Sequence, residues 1–194
     1  MKLREYCLRC RYPRSTCVCD HISKLTSPVK LIILQHPDEV GQAKNTARLV
    51  ALCCPQVQIF VGRNSDDFAQ CRQITEKTEA GLIYPSAHSL PLEEHKESLP
   101  PKRAGALIFL DASWRKSRAL WMANPWLHTL PQWHFARPPQ SQYRIRHTRL
   151  KHSLSTIEAV AYTLAEGYQI NSGPLLGALN ALQSHWKGPK SHQR

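Results

Sequence analysis

No apolar run in the 194 residues nears the roughly 18 that a membrane-spanning helix needs. The longest candidates, Val29 to Leu34 and Ala104 to Leu110, have strand length, so a soluble protein without a membrane partner is expected. The first residues, Met1 to Cys7, carry no apolar stretch behind their cations. That argues against a secretory signal and for a reducing cytoplasm. Acids are scarce as well, with 14 Asp plus Glu against 26 Lys plus Arg and a net charge of +12. Such an excess favours a polyanionic partner, nucleic acid before others. Yet 42% hydrophobic and 21% charged residues exclude wholesale disorder. No internal repeat is visible, and the length suits one compact domain with at most a small appendage.

The scarcity of acid is local. From Pro100 to His152 ten Lys or Arg face one acid, Asp111, and nine of the twelve net charges sit there. By contrast Asp66 to Glu97 holds seven acids against three cations. One face should be basic and another mildly acidic. A basic run is often only a wetted surface, but here Trp114, Trp121, Trp126, Trp133 and Tyr143 are interleaved with the cations. That is the composition of a surface that stacks bases and binds phosphates.

The chain alternates strands and helices. Val29 to Leu34, Val57 to Val61, Gly81 to Tyr84 and Ala104 to Leu110 read as buried strands bounded by Pro or Gly. Gln42 to Leu52, the polar stretch Asp66 to Ala80, Arg115 to Met122, Ser155 to Tyr168 and Pro174 to Trp186 read as helices. The class is therefore α/β, a largely parallel sheet with flanking helices. Ser86 to Arg103, rich in proline, is expected as a mobile surface loop, and residues 187–194 as a flexible tail. In such sheets ligands lie beyond the carboxyl ends of the strands, where Gln35-His36-Pro37 and Asp111-Ala112-Ser113-Trp114 fall.

Three groups carry candidate chemistry. Cys7, Cys10, Cys17 and Cys19 crowd the first 19 residues. In a reducing cell four such thiolates suit a tetrahedral Zn2+ better than a redox dithiol or free thiols, despite the tight spacing of the last pair. Residues 1–25 are thus expected as a small four-cysteine zinc-binding module. Cys53, Cys54 and Cys71 suit inert core positions. Asp111, the one acid among ten cations, stands at a strand end where it could act as a base or hold a cationic ligand, or could cap the following helix. Ser155 with Glu158 forms a capping box, and the same helix start offers N–H groups to an anion.

The order of the cysteine cluster, His36-Pro37-Asp38-Glu39, Asn45-Thr46-Ala47, Leu110-Asp111-Ala112-Ser113-Trp114-Arg115 and Leu154-Ser155-Thr156-Ile157-Glu158-Ala159 resembles the DTW-domain family, and within it the bacterial tRNA-uridine aminocarboxypropyltransferases. The resemblance runs from about Cys7 to Tyr168, with Ser113 where the family's Asp-x-Thr-Trp has threonine. It implies a SPOUT-like, knotted fold over residues 26–186. It also implies transfer of the aminocarboxypropyl group of S-adenosylmethionine to N3 of a tRNA uridine. Under that resemblance Asp111 is the candidate general base and Trp114 the residue that stacks on a base. Leu110, Ser113, Leu154, Ser155 and Thr156 would line the cofactor, and Arg115, Lys116, Arg144 and Arg146 would hold phosphates. A monomer is the default. Two rivals share these residues: an RNA methyltransferase using the same cofactor, and a zinc-dependent RNA-binding protein without activity.

Overall fold

The computed structural model describes residues 5–145 and 153–185. Its centre is a six-stranded sheet of β1 (Lys30–Gln35), β2 (Gln58–Val61), β3 (Ala80–Ile83), β4 (Leu90–Pro91), β5 (Ala106–Asp111) and β6 (Gln132–His134). Their spatial order is β2-β1-β5-β3-β6-β4, and every pairing between these strands is parallel. The helices are α1 (Pro37–Val40), α2 (Ala47–Cys53), α3 (Ala69–Glu76), α4 (Trp114–Met122), α5 (Thr156–Tyr168) and α6 (Gly173–Ser184).

The inner strands β1, β5 and β3 are buried on both faces, which explains their unbroken apolar runs. Side chains alternate between the faces with period two. Leu31, Ile33, Leu107 and Phe109 join one core with residues of α2, α5 and α6, while Ile32, Leu34, Ala106 and Ile108 join a second with Phe68, Cys71 and Leu120. Cys53, Cys54 and Cys71 are buried, as their apolar surroundings suggest. Tyr12 and Val18 of the Cys-rich segment lie fully buried in the first core, so this segment packs onto the body of the protein. Register matters for the site: β1 pairs with β5 from Lys30↔Ala106 to Gln35↔Asp111, so Gln35 lies beside Asp111.

Four local expectations change. The helix expected from Gln42 starts only at Ala47, because Asn45 uses its side chain in the turn, donating to the Glu39 carbonyl at 2.7 Å and accepting from the Arg48 N–H at 2.8 Å. Pro37, expected only to stop β1, also opens the short α1. The Ser86 to Arg103 connection is anchored: it supplies β4 and buries Leu92 and Leu99. Finally, β6 was not legible as a strand, since three residues are too few to show a period. Its Trp133 is 1% exposed and lies against Gly81, where an added Cβ would stand 2.2 Å from the indole ring. Glycine on β3 is what admits that ring.

Candidate active site

A cavity of about 880 Å³ opens at the carboxyl ends of β5, β3 and β6. Three separate stretches of chain converge on it. Leu110, Ser113, Trp114 and Arg115 come from the β5–α4 turn, Tyr84 and Pro85 follow β3, and Leu154, Ser155 and Thr156 lead into α5. Thus all five residues expected to line a cofactor are brought together, with Trp114 and Arg115 beside them.

Asp111 is placed differently from its neighbours. It is 5% exposed and is not among the residues that line the cavity. The Gln35 side-chain amide donates to its Oδ2 at 2.6 Å, and the Thr156 hydroxyl donates to its Oδ1. Asp111 therefore lies one layer beneath the wall and ties β1, β5 and the start of α5 together. It does not cap α4. Ser113 holds the N-cap position, without a side-chain capping bond.

Trp114 is 43% exposed, and its indole N–H donates to Ser153 Oγ at 2.8 Å. The ring belongs to the cavity mouth and not to the core. Lys116, read as a phosphate ligand, is engaged within the chain: its ammonium lies 2.7 Å from Asp38, which also meets Arg63 at 3.2 Å. The Lys116 hydrogen bond holds the Asp38 carboxyl below the usual carboxylate range. Arg144 is exposed, while its backbone N–H donates to Gln183 of α6. Arg146 lies outside the described residues.

The remaining wall is the segment from Phe135 to Tyr143, which was not foreseen as part of the site. Two carboxylates from elsewhere pin it. Glu93 accepts the backbone N–H groups of Ala136 and Arg137 at 3.1 and 2.9 Å and the Tyr162 hydroxyl at 2.8 Å. Burial opposes charge on Glu93, but these donors outweigh it and lower its pKa. Glu158 accepts the Gln142 N–H at 2.6 Å and closes the capping box with Ser155. The capping box foreseen in the sequence thus also holds a cavity wall.

The four N-terminal cysteines meet. Their sulfurs lie within 4.8 Å of one another, Cys7 to Cys19 at 3.6 Å and Cys10 to Cys17 at 3.7 Å, and none is in a disulfide. Such a group could hold a metal ion. Backbone N–H groups of Cys10 and Arg9 hold the Cys7 thiol down at about 6. Burial, then the sulfurs of Cys7 and Cys17, push Cys19 up to about 12. Four sulfurs this close cannot all ionise unless a cation joins them.

A bridge runs from this cluster to the cavity. The Tyr12 hydroxyl donates to the Asn45 carbonyl, and the Tyr143 hydroxyl donates to the preceding carbonyl, Lys44, at 2.5 Å. Thr46 and Tyr143 both line the cavity. Arg48 stacks on Tyr12 at 4.8 Å and donates to the Arg11 and Val40 carbonyls. This gives the Asn45-Thr46-Ala47 motif its structural content. No helix among the described residues is long and apolar enough to cross a membrane.

Comparison with known proteins identifies relatives of this chain. The family described as DTW domain matches residues 4–187. Over 169 residues the chain is 30% identical to tRNA-uridine aminocarboxypropyltransferase 2 of Drosophila melanogaster, an alignment covering 84% of this chain and 66% of that relative. No solved structure matches.

Proposed function

Since the chain belongs to the DTW-domain family, we propose that it transfers the 3-amino-3-carboxypropyl group of S-adenosylmethionine to N3 of a uridine in tRNA, releasing 5'-methylthioadenosine. The observation that carries this reading is the convergence of Leu110, Ser113, Leu154, Ser155 and Thr156 on one cavity beyond the strand ends. Its volume, about 880 Å³, is in the range of small-molecule sites.

The bond that breaks joins sulfur to the γ-carbon of the methionine moiety, and its electron pair stays on sulfur, which becomes a neutral thioether. The bond that forms joins that carbon to N3. The sulfonium activates its methyl carbon as well, so the group transferred depends on which carbon the pocket aims at the nucleophile. N3 carries a weakly acidic proton, which must leave as the new bond forms. Thr156 reaches the cavity and donates to Asp111, so its hydroxyl can take the N3 proton as it passes its own to the carboxylate. Asp111 is then the final acceptor, held in place by Gln35. Trp114 would stack on the base, and Arg115 and Arg144 would meet phosphates. Lys116 and Arg146 belong to the same proposed phosphate contacts, Lys116 once it leaves Asp38.

The four-cysteine cluster suits structural Zn2+. Two thiolate ligands of one tetrahedral zinc stand about 3.8 Å apart, given bonds of about 2.3 Å, and the observed pairs at 3.6 and 3.7 Å fit that spacing. Zinc there would fix the turn around Cys7 and Cys10. The knotted, SPOUT-like path is part of the same reading. Its support is the segment from Phe135 to Tyr143, which returns past the strand ends to meet α5 through Glu158.

The deciding experiment incubates the purified protein with tRNA and S-adenosylmethionine and analyses nucleosides and spent cofactor by mass spectrometry. The expected products are aminocarboxypropyluridine and 5'-methylthioadenosine in equal amounts. A methylated nucleoside with S-adenosylhomocysteine would make the protein a methyltransferase. Binding of RNA without either product would leave it a non-catalytic RNA-binding protein.

A further inference from the structure

Uridine N3 lies on the Watson–Crick edge, where a base pair hides it, so a transferase acting there needs an unpaired or extruded uridine. The nucleotides beside it then have exposed faces, and the enzyme needs a surface for them. This inference rests on the transfer proposed above.

Helix α4 leaves the cavity mouth with no acid in its nine residues. Arg115, Arg118 and Met122 are exposed at helical spacing, Met122 to 58%. Met122 is thus among the most exposed large apolar side chains of the described residues. Against the same helix stands a stack of three rings. Tyr84 and Trp121 lie at 5.7 Å and 20°, and Trp121 and His128 at 3.9 Å and 28°. The His128 ring is fixed by a 2.9 Å bond to the Trp121 carbonyl and is itself exposed. The stack is continuous with the cavity, because Tyr84, Trp114 and Arg115 line it. The exposed acid that meets the first turns, Asp38, is paired with Lys116 and Arg63. Exposed Asp66, next to Ser65, which contacts the Ala123 carbonyl at 3.5 Å, limits the face at its far end.

A half-buried aromatic stack that ends in the exposed His128 ring, beside an exposed thioether and exposed guanidinium groups, suits bases whose faces are free, and a duplex would offer it only phosphates. We infer that the outward face of α4, with the Tyr84–Trp121–His128 stack, holds the unpaired nucleotides that flank the target uridine.

The test uses binding alone, on the full chain without cofactor. Fluorescence anisotropy compares a short single-stranded oligouridine RNA with a fully paired RNA stem, for wild type, Arg118→Glu, Met122→Ala and His128→Ala. Melting temperatures check that the variants are folded. All three substituted side chains are exposed and outside the cavity. Arg118→Glu should weaken single-strand binding about tenfold and flatten its salt dependence, since a phosphate contact is lost. Met122→Ala and His128→Ala should each weaken it about fivefold, the lower end of a stacking contact, with little effect on the stem. Losses below twofold in all three variants, or equal losses on the paired stem, would overturn the inference. An absence of transfer by the wild type would refute the enzymatic reading and leave this binding result standing.

Discussion

At the scale of single residues, the pair Thr156 and Asp111 carries the sharpest expectation. Asp111→Asn keeps the size of the side chain and removes its capacity to take a proton, and Thr156→Val keeps the shape and removes the hydroxyl that links the carboxylate to the cavity. Each should lower kcat about a hundredfold, the usual scale of general-base loss, with KM for S-adenosylmethionine changed only a few-fold. Thr156→Ser, which restores a hydroxyl, should recover most of the rate. If saturating cofactor restores the rate of Asp111→Asn, the carboxylate positions the wall and takes no proton. The importance of Asp111 was legible as the lone acid among ten cations at a strand end. Its partners were not, because Gln35 and Thr156 lie 76 and 45 positions away and only the β1–β5 register and the docking of α5 unite them. Trp114 shows the converse limit. Helix position alone does not say whether a tryptophan faces core or solvent, and it is the structure that turns it to the cavity mouth.

At the scale of elements, four strands were readable: β1, β3 and β5 because burial on both faces produces unbroken apolar runs, and β2 by its apolar residues. As an edge strand, β2 is only half-buried and not the buried strand expected. The two strands that were missed, β4 and β6, have two and three residues. The loss mattered, since the segment after β6 forms a wall of the site. That wall is held by Glu93 at Ala136 and Arg137 and by Glu158 at Gln142. Because the pKa of Glu93 is lowered in the folded protein, its hold on the segment is complete above the ordinary glutamate pKa and is lost as pH falls through the lowered value. Cofactor affinity, followed by calorimetry against pH, should therefore weaken in acid, below the usual glutamate range. Glu93→Gln, which keeps one acceptor oxygen and turns an NH2 toward the other N–H, should weaken affinity about tenfold near neutrality, equivalent to about 1.4 kcal/mol, and flatten the acid limb. An acid limb unchanged in the variant would assign it to another group.

At the scale of the whole molecule, the Cys-rich segment and the cavity share one core and a direct path of hydrogen bonds. Cys10, Tyr12 and Val18 are buried in the core that also contains Tyr143 and the inner side of α5. The hydroxyls of Tyr12 and Tyr143 hold adjacent carbonyls of one turn, at Asn45 and Lys44, and that turn leads to Thr46 in the cavity wall. The sequence displayed both ends of this path, the cysteines and the Asn45-Thr46-Ala47 motif. It could not display the path, which exists only after the segment folds back onto α2. Loss of metal should therefore be felt at a distance. Cys7→Ser combined with Cys10→Ser should abolish zinc content by elemental analysis, lower the melting temperature, and weaken S-adenosylmethionine binding although no cysteine lines the cavity. Tyr12→Phe separates the two effects, since it leaves the four sulfurs in place and removes one buried hydroxyl bond. It should retain zinc and lose about 1 kcal/mol of stability, with a modest loss of cofactor affinity. Wild-type cofactor affinity in the zinc-free double variant would show that the path transmits nothing and that the segment serves RNA or stability alone.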